Sequence, residues 1–151
     1  MTGVDIGKTY PEPYRAMLEL NAKAGEAAVQ AGLDPLLVEL VKIRASQLNG
    51  CAFCLRMHTA DAIAHGETSE RLAVLAAWWE SQYFGPAEQA ALQLTEQVTL
   101  ISDHGRLADR GIRPGDHLDD RQIAAVIWLA VVINAWNRIA IASHYPVAPG
   151  T

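Results

Sequence analysis

At 151 residues the chain is long enough to bury a core without covalent staples. Its net charge of −5 excludes the basic patch that a nucleic-acid partner needs. Apolar residues make up 50% and charged residues only 19%, more apolar surface than a monomer of this size covers, so association with further copies is expected.

The opening segment, MTGVDIGKTYPEPYRAM, has no charged region followed by an apolar run, so no export signal is expected. The chain holds two cysteines. Without an export signal they belong in reducing, cytoplasmic surroundings, where a close pair is redox-active or metal-binding more often than structural. The first ten residues carry little pattern and read as an arm. Pro11 and Pro13 then lead into a helix in which Met17, Leu20, Ala24, Ala27 and Ala31 recur at helical spacing, stopped by Gly32.

Asp34-Pro35 starts a second helix, running to about Leu48, with Leu36, Leu40, Ile43 and Leu48 toward its buried side. Asn49-Gly50 ends it, and a third helix opens at Cys51 and runs to about His65, stopped by Gly66, completing an antiparallel hairpin. Thr68 or Ser69 caps a fourth helix through RLAVLAAWWESQ, with Glu70 in its first turn. Gly85-Pro86 starts a fifth through AEQAALQLTEQVTLIS. The segment Asp103 to Asp116 has three glycines and a proline and reads as a loop. Asp119 and Asp120 cap a long last helix that ends near His144. Its unbroken apolar run, Ile123 to Ile133, is only eleven residues, against the roughly 20 that a bilayer span needs. It reads as a buried helix of the core or of a subunit interface, and no membrane partner is expected. No strand, repeat or linker stands out, so the expectation is all-α, about six helices in one domain over residues 1–151.

The chemistry concentrates in ELVKIRASQLNGCAFCLRMH, residues 39–58. Cys51 and Cys54 stand three apart and His58 follows Cys54 by four, so all three can share one helix face. A helix N-terminus favours negative charge and lowers a thiol's pKa. A Cys-x-x-Cys pair there can cycle between dithiol and disulfide, with His58 as base. Arg44 and Arg56 flank the motif, as candidates to favour a thiolate or as solvated charges. Glu39 falls close to the buried stripe of the second helix. Along an antiparallel hairpin, Glu39 and His58 both lie on the order of 10–14 Å from the turn. A carboxylate at the same depth as an imidazole raises its basicity and fixes its tautomer.

Glu39, Cys51-Ala52-Phe53-Cys54 and His58, together with the surrounding KIRASQLNGCAFCLRMH, resemble the active-site motif of the alkylhydroperoxidase D (AhpD)-like branch of the carboxymuconolactone decarboxylase family. The resemblance covers about Leu33 to Phe84. It implies an all-helical fold, trimers or hexamers, and reduction of a peroxide by the dithiol, with Glu39 and His58 relaying protons and an external dithiol or thioredoxin-like protein restoring the pair. The family's best-known members carry a second histidine between the cysteines, where this chain has Phe53. Carboxymuconolactone decarboxylases proper lack the cysteine pair. In the peroxidase that the resemblance implies, Cys54, nearer His58, attacks the peroxide and Cys51 resolves it; the reverse assignment stays open.

Other readings compete. A zinc site would have Cys51, Cys54 and His58 but wants a fourth ligand, for which His65 or His144 is the candidate. Haem attachment needs a histidine where Leu55 stands. A disulfide closing so small a loop stabilises little. No cofactor or metal is therefore expected. His65, His104, His117 and His144 read as structural or solvated, and Trp78, Trp79, Trp128 and Trp136 as core or interface. A non-catalytic, redox-responsive module and a lactone decarboxylase or isomerase on the same fold are the alternative functions.

Overall fold

The computed structural model describes residues 3–150 and contains seven α-helices and no strand among them. They are α1 (Ile6–Thr9), α2 (Pro11–Gln30), α3 (Pro35–Asn49), α4 (Ala52–Ala64), α5 (Ser69–Val74), α6 (Pro86–Thr99) and α7 (Asp120–Ala142). The start signals act as their chemistry predicts. Asp34 Oδ1 accepts from Leu36 N at 2.8 Å with Pro35 in the first turn. Asp119 and Gln122 form a reciprocal capping box on α7.

Helix α3 is the central element, packing against α4, α6 and α7. This explains why its sequence lacks a clean apolar stripe: Leu37, Leu40, Val41, Ile43, Arg44 and Ala45 are all buried, while Leu36 and Leu48, expected on the buried side, are half-exposed. Helix α7 is also nearly apolar all round. By length and composition it could cross a membrane, at 23 residues and mean hydropathy 1.7, yet it packs across α2, α3 and α6. Val126, Leu129, Val132 and Ile133 face inward, while Ile127, Trp128 and Val131 form an exposed apolar stripe at helical spacing.

Four expectations change. The segment read as an arm holds α1, because the Asp5 carboxylate accepts from Gly7 N and Lys8 N and caps a turn; Met1 and Thr2 lie outside the described residues. On α2 the buried residues are Ala24 and Ala28, while Leu20 is exposed. Helix α4 begins at Ala52, with Cys51 as its N-cap. The fourth helix stops at Val74 and continues as a 3-10 segment, Leu75–Glu80, broken at Ala77 (φ −128, ψ 37). This kink lets Trp78 bury completely and donate from Nε1 to Glu96 Oε1 at 2.8 Å, with Trp79 stacked under the Arg110 guanidinium.

Glu96 is the polar centre of that half of the core. Besides Trp78 it accepts from Arg44 Nε at 2.8 Å, and Arg110 Nη2 lies 3.5 Å away. The loop between α6 and α7 is held by Gln93, whose amide accepts from Arg110 N and donates to Ile112 O. Removing the carboxylate leaves Arg44 buried without its counter-charge. Glu96→Ala should cost about 3–5 kcal/mol, read as a lower urea midpoint.

Candidate active site

The hairpin turn is built so that one residue closes two helices. Gly50 sits in the left-handed region (φ 70), which a side chain would strain, and Cys51 N donates back to Ser46 O at 3.0 Å. Cys51 thus ends α3 through its N–H and starts α4 through its side chain, where Sγ accepts from Cys54 N at 3.4 Å. A sulfur occupies the place usually taken by a serine or aspartate oxygen. Cys54, in the first turn, points inward, and the two free sulfurs lie 2.6 Å apart. Both are buried, at 1% and 2% exposure, with Ala45, Ile133 and Ala140 around them.

That burial overturns one sequence expectation. The helix N-terminus does not make Cys54 acidic. Desolvation, with the neighbouring Cys51 thiol adding to it, pushes Cys54 up from 9.0 to about 12, and a hydrogen bond from the Asn137 amide opposes the rise. Arg44 and Arg56 do not offset it, since Arg44 is taken by Glu96 and Arg56 donates to Ala148 O.

Asn137 is a site residue that the motif alone does not reveal. It is fully buried; Nδ2 donates to Ser46 Oγ at 2.9 Å and Oδ1 accepts from Asn49 Nδ2 at 2.8 Å. The same amide is close enough to Cys54 to lower its pKa against the effect of burial. Asn134 extends the network to Asn49 and Thr99. The signal in the sequence is the pair of asparagines, three apart, interrupting an otherwise apolar helix.

One turn beyond Cys54 on the same face of α4, His58 is buried and its Nδ1 meets Glu39 Oε2 of α3 at 2.9 Å. With Nδ1–H donated to the carboxylate, Nε2 is left as the basic nitrogen. Burial alone would raise Glu39. The His58 hydrogen bond and the Lys42 ammonium, 3.3 Å from Oε1, outweigh it and hold Glu39 below its ordinary 4.5, so the carboxylate is charged at neutral pH. Asp61 Oδ2 stands 3.8 Å from the same ring nitrogen. Glu39, His58 and Asp61 hold their ligand atoms within 4.8 Å of one another, the one such grouping among the described residues that could take a metal ion. The Lys42 ammonium already supplies a cation to Glu39 there. The cysteines are not part of this group, and neither are His65, which bonds Asp61 O, and His144, on an exposed turn past α7.

Cys54 and His58 open together into a cavity of about 430 Å³, whose lining includes Tyr14, Leu18, Met57, Trp136 and Tyr145. Such a chamber, mostly apolar and aromatic with one thiol, one imidazole and the Lys42 and Asp61 charges on its wall, suits a small organic substrate. Trp136 is fixed there by Tyr14, edge to face, and by Asn21, which accepts from its Nε1 at 3.1 Å.

The carboxymuconolactone decarboxylase family model matches residues 11–97, which contain α2 to α5, all but the last two residues of α6, and every residue of the sulfur–imidazole–carboxylate set. The uncharacterized protein YdfG of Bacillus subtilis is 39% identical over 132 residues, 87% of each chain. A crystal structure of a protein of unknown function from Agrobacterium tumefaciens, assigned as a candidate antioxidant defence protein AhpD, superposes with a TM-score of 0.81. It is 28% identical, over 98% of this chain and all of that one. With the cysteine pair held at a helix start and the helical fold shared end to end, the chain belongs to the carboxymuconolactone decarboxylase family and is an AhpD-like member of it.

Proposed function

We propose that this protein is a thiol-dependent peroxidase. The observation that carries the proposal is the shared cavity: Cys54, 2.6 Å from a second free sulfur, opens into it beside His58, whose other nitrogen is bound to a charged Glu39. The AhpD description of the structural relative supports it.

A hydroperoxide enters the cavity and Cys54 Sγ attacks its terminal oxygen. The O–O bond breaks, the alkoxide takes the proton that His58 removed from the thiol, and Cys54 becomes a sulfenic acid. The ionised Glu39 stabilises the transient imidazolium. Cys51 Sγ then attacks the sulfenic sulfur, releasing water and leaving the Cys51–Cys54 disulfide. A dithiol donor returns two electrons. Because the resting Cys54 is protonated, its proton must leave during the attack, which makes the base indispensable. Copies of the chain associating through the exposed stripe Ile127, Trp128 and Val131 complete the proposal.

The high position of Cys54 also favours a second reading, a redox-responsive module whose disulfide forms without rapid turnover. Activity on a lactone that survives Cys51→Ala with Cys54→Ala would point to non-redox chemistry on the same fold.

Cys54→Ser should abolish hydroperoxide consumption coupled to a dithiol, and Glu39→Gln should lower its rate about 10²-fold. Retained turnover in Cys54→Ser would falsify the peroxidase assignment. Asn137→Ala should raise the Cys54 pKa further and slow sulfenic acid trapping at fixed pH, as read by ultraviolet thiolate absorbance and mass spectrometry. Asn137→Leu should do the same, which separates the lost hydrogen bond from an opened void. Finally, the folded chain keeps the Cys54 proton up to about 12 while the unfolded chain releases it near 9.0. That stabilising contribution is complete below 9.0 and is lost as pH rises toward 12. The urea midpoint of the wild type should therefore fall more steeply across this alkaline window than that of Cys54→Ala.

A further inference from the structure

Two cavities meet the cysteine pair, and each is lined by one of the two cysteines. The chamber of about 430 Å³ is lined by Cys54 and not by Cys51. A smaller one, about 190 Å³, is lined by Cys51, with Gly50, Ala52, His144 and Val147, and not by Cys54. Phe53 and Tyr145 border both. Their rings meet edge to face with centroids 5.1 Å apart, forming a wall between the two spaces. Phe53 is the residue between the cysteines, and Tyr145 is placed by the turn after α7.

We infer that the small cavity is the entry for the reductant: the thiolate of a dithiol reaches Cys51 there, on the far side of the Phe53–Tyr145 wall from the peroxide. The inference rests on the peroxidase reading for the oxidative half of the cycle. The carrying argument is stereochemical. Thiol–disulfide exchange is an in-line displacement, with attacking, central and leaving sulfurs near one line. A nucleophile that displaces Cys54 from Cys51 must come from the side of Cys51 away from Cys54, and of the two cavities it is the small one that is lined by Cys51 without Cys54. The small cavity opens at the N-terminus of the 13-residue α4, where an incoming thiolate is favoured, and no carboxylate lines it. The backbone of His144 (φ 52) brings an imidazole to the same rim. The size of the cavity admits a small dithiol, and Cys51, 1% exposed, is out of reach of a flat protein surface.

The step balances. The reductant's first thiol gives up its proton to solvent, its thiolate forms a bond to Cys51 Sγ, the Cys51–Cys54 bond breaks, and its electron pair leaves on Cys54, which takes a proton back from solvent through His58. The reductant's second thiol then attacks the reductant sulfur of the mixed disulfide. Cys51 is released reduced, and the reductant departs as its own disulfide, two electrons poorer.

The test separates the half-reactions. Disulfide is formed with diamide, so that this arm does not depend on peroxidase activity, and is then reduced with dithiothreitol while free thiols are counted by alkylation and mass spectrometry. Oxidation by cumene hydroperoxide is timed separately on reduced protein. Ala52→Trp, at an exposed position beside Cys51, should slow re-reduction at least about tenfold and leave oxidation within about twofold. Leu18→Trp, on the rim of the large chamber, should do the reverse. Val147→Trp, on the C-terminal tail, repeats the first test without altering the start of α4. Equal slowing of both half-reactions, or slowing of re-reduction by Leu18→Trp alone, overturns the inference. A wild type that cumene hydroperoxide does not oxidise overturns the peroxidase reading, while the diamide arm still decides which cavity the reductant uses.

Discussion

The hydrogen bond from His58 to Glu39 ties the two arms of the hairpin together, and the rest of the site depends on it. It joins α3, the helix at the centre of the fold, to α4, the helix that carries the sulfurs. Both partners are buried, so the bond forms in a medium where a lone carboxylate would be costly. The protein does not leave it alone: Lys42, one turn along α3, supplies the compensating charge. The result is a carboxylate that stays ionised despite burial, and therefore an imidazole with a fixed orientation and a free basic nitrogen.

At the other end of the same hairpin the physics runs the opposite way. The sulfurs are also buried, but they have no cation, and burial there favours the neutral thiol. The polar company they keep is the first-turn amide of Cys54, directed at Cys51, and the amide of Asn137, directed at Cys54. The two halves complement each other: a thiol kept protonated needs a base, and a base one turn away is kept ready by its carboxylate. A pair that rests as dithiol is also protected from indiscriminate oxidation by its 1% and 2% exposure, which confines reaction to whatever the two cavities admit.

Much of this was legible in the residues. Asp34-Pro35, Asn49-Gly50, Gly66, Gly85-Pro86 and Asp119 marked the helix ends because capping and turn formation are local chemistry. The Glu39-to-His58 proximity followed from helical rise along a hairpin. What escaped reading depended on contacts distant in sequence. The kink before Trp78 comes from a carboxylate 18 residues on. The stripe assigned to α2 missed because alanines pack where a larger residue, Leu20, turns outward. Asn137 stands 83 positions beyond Cys54; the asparagine pair marks α7 as carrying polar partners, but nothing local says that the partner is a sulfur. The Cys54 thiol was misjudged because the helix N-terminus is visible in a sequence, whereas the desolvation that outweighs it is set by α7.

Phe53 shows how such a departure can be informative. A histidine there would add a proton carrier between the cysteines; a phenylalanine adds none. Packed edge to face on Tyr145, it provides a rigid apolar partition where the two cavities would otherwise join. Tyr145 itself is pushed up to about 12, by burial first and then by Tyr14, so it stays a neutral phenol through the physiological range and does not charge the wall. The hydrogen-bonded His58 and Glu39 thereby stand on one side of the pair. The other side is left free of acids, facing the start of α4. The two sides of the pair are therefore chemically unlike, one carrying an imidazole and a carboxylate and the other neither carboxylate nor lysine.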